Sequence, residues 1–263
     1  MEIFVYGTIA LVATWLLAVV ALAAISRSVS EMPDPPAIER WENDTMPVAL
    51  KDVAEGIAQV LGPFGFEQRG GITLRYGPTR ASAYLHMARE GPTFAIVQVT
   101  ALDQTARAWI LYFTCDDRCG EIVTSPSHPD PAQMIAPREP GLVLRIPDVA
   151  PAEALASHES VVRALLGKDD GRKPDDVLAY VREQQAARVQ QTLTSGWERV
   201  GSVVRPSWRT TLALAACVLP PFRFLAKAIV TTRAQRLFDE VGRGSFDGCR
   251  HLFEQAAARR SST

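Results

Sequence analysis

The sequence predicts an α+β protein with an N-terminal transmembrane helix, an antiparallel sheet of about five or six strands flanked by helices, and a helical, membrane-associated C-terminal region. Three observations lead there. The run from Ile3 to Ile25 carries no charged side chain. Short segments rich in β-branched and aromatic residues follow one another from Ile72 to Ile146, and beyond Phe222 basic residues interleave with Phe and Leu. The 263 residues leave room for one span and one domain of ordinary size, and a formal net charge of −1 offers no global electrostatic reason to expect nucleic acid.

At 1.5 Å per residue the first run reaches about 35 Å, enough to cross a hydrocarbon core about 30 Å thick. It is apolar on every face, unlike a core helix with one apolar stripe. A removable signal peptide would carry a basic flank and a shorter apolar core. Here Glu2 is the only charge ahead of the run, and Ala21-Leu22-Ala23, which imitates a cleavage site, lies inside it. Residues 1–27 are therefore expected to be an uncleaved anchor, with Trp15 and Arg27 touching the membrane. Ala10, Thr14 and Ala18 form a small-residue row along which a second helix could approach, as in a homodimer. Residues 28–44, with Pro33, Pro35 and Pro36, are expected to be a semi-extended linker.

Residues 45–167 are expected to form the soluble domain. Val53, Ile57, Val60 and Leu61 share one helical face, which Gly62-Pro63 ends. Strands are predicted over Ile72 to Tyr76, Ala83 to Met87, Phe94 to Thr100, Ala108 to Thr114 and Gly120 to Thr124, with intervals too short for crossover helices, so neighbours should pair antiparallel. In the fourth strand Trp109, Leu111 and Phe113 alternate with Ile110, Tyr112 and Thr114. Both faces being apolar predicts a central strand covered on two sides. A proline-rich loop from Ser125 to Gly141, a short strand over Leu142 to Ile146 and a helix from Pro151 to Gly167 close the domain.

Residues 168–206 read as a connecting helix opened by Pro174-Asp175-Asp176. Its thin seam of Val181, Val189, Leu193 and Trp197 is interrupted by Gln185, so the 175–197 stretch suits a connection or a protein partner rather than a core. Residues 207–263 read as apolar and basic amphipathic membrane-associated helices. The charge-free part, Thr210 to Phe222, is too short to span and Pro220-Pro221 breaks it, while Phe222 to Val241 suits a helix lying in a headgroup layer. Trp208, Arg223, Phe224 and Lys227 are the expected membrane contacts, and a full second span with Arg223 and Lys227 reaching to the interface is the alternative. Arg27 and Arg40 follow the first span and no basic residue precedes it, which places the domain in the cytoplasm. A crossing second segment would favour the outside.

Chemistry-bearing residues are sparse. His86 alternates with Tyr84 on a strand and His158 lies on an apolar helix face, so each reads as a packed histidine. His128, in the proline-rich loop, with Asp116 and Asp117 at the preceding turn, is the candidate catalytic set, because general acid–base chemistry needs a carboxylate beside a histidine. The same residues are also ordinary loop and turn composition. Cys115 and Cys119 have the spacing of half a zinc site, but no second pair of Cys or His matches them. In an oxidising compartment they would bridge if the geometry allowed. Gly70-Gly71 lacks the continuation of a phosphate loop. No metal and no cofactor is expected.

The segments Glu90-Gly91-Pro92-Thr93-Phe94-Ala95, Trp109-Ile110-Leu111-Tyr112-Phe113-Thr114 and Glu121-Ile122-Val123-Thr124-Ser125, with His158 in the closing helix, mark a pattern that extends over about a third of the chain. In this pattern the chain resembles a loose group of uncharacterised bacterial proteins. In these a sheet domain, often membrane-anchored, carries aromatic strands, a turn, a proline-rich loop and a helix bearing a His. The resemblance implies a role for His158 in the domain and no activity, and it differs at the turn, where two cysteines stand in place of a more usual Gly. The expected function is a membrane-anchored sensing, binding or scaffold protein with the bilayer as its first partner. The alternative is a membrane-bound hydrolase using Asp116, Asp117 and His128.

Overall fold

The period-two alternation of the central strands becomes the two faces of one sheet. The computed structural model describes residues 2–29, 32–33, 37–75, 81–102, 105–126, 141–147, 149–167, 171–194, 196–220 and 222–261. These fall into two compact units, one within Met1–Pro36 and Ala186–Val230, the other within Ala37–His128, Arg138–Gln185 and Thr231–Thr263.

The larger unit is an α+β domain on a seven-stranded, mostly antiparallel sheet. Its strands are β2 (Ala37–Trp41), β3 (Glu67–Arg75), β4 (Ala81–Ala88), β5 (Phe94–Leu102), β6 (Thr105–Asp116), β7 (Gly120–Pro126) and β8 (Leu142–Ile146), in that spatial order. Six of them fall on the predicted segments, of which Tyr76 lies outside the described residues. The seventh, β2, falls in the stretch read as a linker: its Ala37 to Trp41 pair with Arg75 to Gly71 of β3. The sequence Ala-Ile-Glu-Arg-Trp is too short and too polar to announce a strand, and the open edge of β3 supplies its partner. The β7–β8 pair is parallel, the other neighbours antiparallel.

Side chains alternate across the sheet. Ala83, Leu85, Met87, Ala95, Val97, Val99 and Tyr112 share one core with Ala54 and Leu61 of α2 (Val48–Leu61) and with Ala154 and Leu155 of α3 (Pro151–Leu166). Tyr84, Phe94, Ile96 and Phe113, from the same strands, pack on the opposite face with Val177, Leu178 and Val181 of α4 (Val177–Thr194). So β6 is covered on both sides. Helix α4 packs on the sheet over its first turns, because Val177 and Leu178 share a face with Val181, the first residue of the seam. The helix ends at Thr194, so Trp197 stands in a strand rather than on its seam.

Gly70 and Gly71 have a packing reason. A Cβ on Gly71 would stand 2.4 Å from the Trp41 ring and 2.5 Å from the Tyr84 carbonyl oxygen, and one on Gly70 would stand 2.8 Å from the Trp41 carbonyl oxygen. The pairing of β3 with β4 shifts register between Gln68 and Gly71, and Trp41 lies against this irregularity. The Trp41 indole also donates to Thr73 Oγ1 at 3.2 Å.

The C-terminal helix α7 (Asp247–Ser261) belongs to this unit as well. Its Cys249, Phe253 and Ala256 are buried with Cys119, Ile122, Leu142, Val161 and Val162. Protein side chains therefore cover the apolar positions of this last helix, whereas Phe224, Leu225 and Ile229, in the stretch expected to lie in a headgroup layer, are exposed.

The smaller unit holds α1 (Glu2–Val29), a three-stranded sheet of β1 (Met32–Pro33), β10 (Val203–Pro206) and β9 (Trp197–Val200), and α5 (Trp208–Val218). Val19 and Ala23 of α1 bury against Ala215 of α5, with Trp15 and Leu22 packed beside them. The row Ala10, Thr14 and Ala18 is exposed. After Pro220 the next described helix is α6 (Phe222–Gly242). The 11 residues of α5 reach about 16 Å, too short to cross a bilayer alone.

Candidate functional site

A polar cleft of about 760 Å³ opens in the larger unit where the ends of β3 and β4 meet the start of α4. Arg40, Glu67, Arg69, His86, Lys173 and Asp176 contribute to its lining. The backbone positions these residues. Cys115 and Arg172 exchange N–H···O bonds of 3.0 and 2.9 Å, tying the segment before α4 to the edge of β6 and so fixing Lys173. Asp176 caps α4 through Oδ1, which accepts from Leu178 N and Ala179 N at 3.0 Å each, while its Oδ2 accepts from Arg40 Nη1 at 2.7 Å. Backbone N–H donation and the Arg40 guanidinium hold the Asp176 carboxyl below the usual range.

His86 projects from β4 on the α4 side of the sheet, its ring edge-on to Phe94 with centroids 6.2 Å apart. Burial, then the positive charges of Lys173 and Arg69, lower its pKa to about 4 against a smaller opposing effect of Asp176. The imidazole is therefore neutral at pH 7. Its Nε2 is buried and has no hydrogen-bond partner among the described residues. Arg69 pairs with Glu67 at 2.6 Å on the surface, and Lys173 Nζ donates to the Arg89 carbonyl oxygen at 3.4 Å. The guanidinium of Arg89, also at the cleft, pairs with Glu159 and lies over the Phe66 ring at 5.1 Å.

Asp116 and Asp117, singled out in the sequence, have different partners. Asp116 is buried and serves its own turn: Oδ1 accepts from Arg118 N at 3.0 Å and Cys119 N at 2.9 Å, and Oδ2 lies 3.4 Å from Arg118 Nε. Asp117 is exposed and pairs with Arg172 at 2.8 Å. His128 lies outside the described residues. Cys115 and Cys119 are free thiols in separate cores, Cys115 beside Phe113 and Tyr180 and Cys119 beside Ile122 and Leu142. Burial pushes the two thiols up to about 11 and about 12. No cluster of three or more metal-ligating side chains occurs among the described residues.

His158 is fully buried, and both ring nitrogens are engaged, Nε2 with Thr114 Oγ1 and Nδ1 with Thr124 Oγ1, each at 3.0 Å. Thr114 Oγ1 also meets Thr93 Oγ1 at 3.2 Å. Burial, aided by Arg89, lowers its pKa to about 3. Its work is to join α3 to β6 and β7 through a satisfied polar network inside an apolar core.

The expected membrane contacts of the smaller unit are partly tied to one another. Trp15 Nε1 donates to the Pro220 carbonyl oxygen at 2.6 Å, and its ring lies 6.1 Å from that of Phe222. Arg27 pairs with Glu198 and lies 4.9 Å over the Trp208 ring. Arg223, Phe224 and Lys227 are exposed.

Sequence reasoning passed over the cleft because its parts are far apart in the chain. Arg69, His86 and Lys173 share no motif, and the unpartnered nitrogen of His86 has no sequence signature. Comparison with protein-family models, with curated proteins and with solved structures finds no match for this chain, so the cleft is understood from its own geometry.

Proposed function

We propose that this chain is a membrane-anchored binding protein that uses the polar cleft of the larger unit to hold a ligand. The observation that carries the reading is the apolar surface of α1. Tyr6, Leu11 and Leu17 are 70 to 73% exposed on a helix long enough to cross a bilayer, a surface that water does not tolerate and lipid does. Phe222, Phe224, Leu225 and Ile229 add exposed apolar area at the start of α6, interleaved with Arg223 and Lys227 as in a helix resting in headgroups. Arg27 after the span keeps the larger unit on the cytoplasmic side in this reading.

The test is retention of the full chain in membrane pellets after alkaline carbonate washing, compared with the double variant Val12→Asp, Leu16→Asp. Each aspartate near the middle of a span costs about 2.5–3.5 kcal/mol of insertion. Retention of the wild-type chain with release of the variant supports the reading. Release of both overturns it.

A further inference from the structure

We propose that the cleft beside His86 binds a small polar molecule through an oxyanion, the carboxylate or phosphate group being received by His86, Arg69 and Lys173. This rests on the reading of the cleft as the ligand site.

Lys173 and Arg69 are the cationic donors that act on His86, opposed by the Asp176 carboxylate. Arg69 and Lys173 have no acceptor capacity in their side chains. For the neutral imidazole the tautomer follows from its surroundings: a proton on the buried, unpartnered Nε2 would be an orphan N–H, the costlier kind of unsatisfied group, so the proton sits on Nδ1. Nδ1 is then a donor too, and His86, Arg69 and Lys173 line the same cleft, so an acceptor-only group would complement all three. Carboxylates and phosphates are such groups.

The acidic residues of the lining do not cancel this. Glu67 is spent on Arg69 and Asp176 on Arg40 and the α4 backbone, while Glu90 and Asp175 are exposed at the rim, where salt screens them. Arg69 has five N–H donors, more than its ion pair with Glu67 uses, and the volume of about 760 Å³ suits a metabolite-sized ligand.

The test is calorimetric titration of the full chain in phosphatidylcholine nanodiscs at pH 7 and constant ionic strength, with inorganic phosphate, citrate, spermine and glucose as probes. Saturable binding of phosphate or citrate with a Kd at or below about 1 mM, weakened about tenfold in Arg69→Gln and in Lys173→Gln, is expected. Both side chains are on the surface, so unchanged melting of the unliganded variants checks that the fold is intact.

A second readout follows the His86 proton by NMR. The groups facing His86 are Lys173 and Arg69, which repel the proton, and Asp176, which attracts it. A bound anion among them must raise the His86 pKa, and must fail to do so in the Lys173→Gln variant.

Equal affinity in wild type and variants, or an unmoved His86 pKa at saturating anion, overturns the proposal. Repeating the titration in discs containing phosphatidylglycerol separates a soluble ligand from a lipid headgroup. Unchanged affinity supports the soluble one, and loss of the phosphate heat overturns it. Saturable binding of spermine or glucose alone would sink the oxyanion and leave the cleft as a binding site, whereas silence from all four probes would sink both.

Discussion

Acidification should loosen the larger unit through the two histidines whose pKa burial lowers, and the His158 contribution can be isolated. The folded pKa of His158 is lowered to about 3 from the ordinary 6.5, so the unfolded chain binds the proton more tightly than the folded one. The stability it supports is complete above pH 6.5 and is lost progressively as pH falls from there toward 3. Full burial removes any discount for solvent screening. Between pH 7 and pH 5 the loss comes to about 2 kcal/mol, or about 25-fold in the population of the opened state. Hydrogen exchange of the Tyr112, Thr114 and Thr124 amides in the full chain, corrected for the intrinsic pH dependence of exchange, reads this directly. His158→Gln keeps a hydrogen-bonding side chain that does not titrate, and its protection should change less between the two pH values by that same factor. His86 is present in both proteins, so its own contribution cancels in the comparison. NMR titration of the wild-type chain provides a check that needs no variant: the His158 ring should stay neutral down to pH 4. Equal loss of protection in the two proteins, or a His158 titration near 6.5, would refute the reasoning.

Three further outcomes are expected. Gly71→Ala drives a methyl group into the Trp41 ring and the Tyr84 carbonyl, and overpacking of this kind costs about 1–3 kcal/mol, visible as a lower denaturation midpoint and loosened exchange in β2 and β3. Leu85→Ala, at a side chain with no exposure between α2 and the sheet, should cost about 2–5 kcal/mol; a loss below about 1 kcal/mol would mean that the helix does not pack there. The thiols of Cys115 and Cys119, pushed up by burial, should react with a disulfide reagent at pH 8 at least about 100-fold more slowly in the native chain than in urea, and rapid native labelling of either would contradict their placement.

Much of the larger unit was legible because its signals are local. The alternation of Ala83, Leu85 and Met87 with Tyr84, and of Ala95, Val97 and Val99 with Phe94 and Ile96, encodes strand, face and two-sided burial without reference to any partner. Pro151 and Gly167 bracket α3 for equally local reasons. Other features were illegible because their cause lies elsewhere in the chain. Ala37 to Trp41 become a strand only because β3 has a free edge. The tail from Asp247 looks like a polar, basic helix until Ile122, Leu142 and Val161 are seen to cover Cys249 and Phe253. In the turn, Cys115 and Cys119 look like a pair by spacing, and the register of β6 and β7 sends them into different cores.

By itself, the sequence determined a helix of membrane-spanning length, an α+β domain behind it, and the periodicity that gives the sheet two apolar faces. These follow from composition and spacing, which act over a few neighbouring residues. Only the tertiary structure decided the seventh strand, the parallel β7–β8 pair, the α1–α5 packing, and the meeting of Arg69, His86 and Lys173 around one cleft. The physical reason is common to all four. Each depends on which surfaces remain unsatisfied once the local elements have formed, and that is settled by residues far apart in the chain.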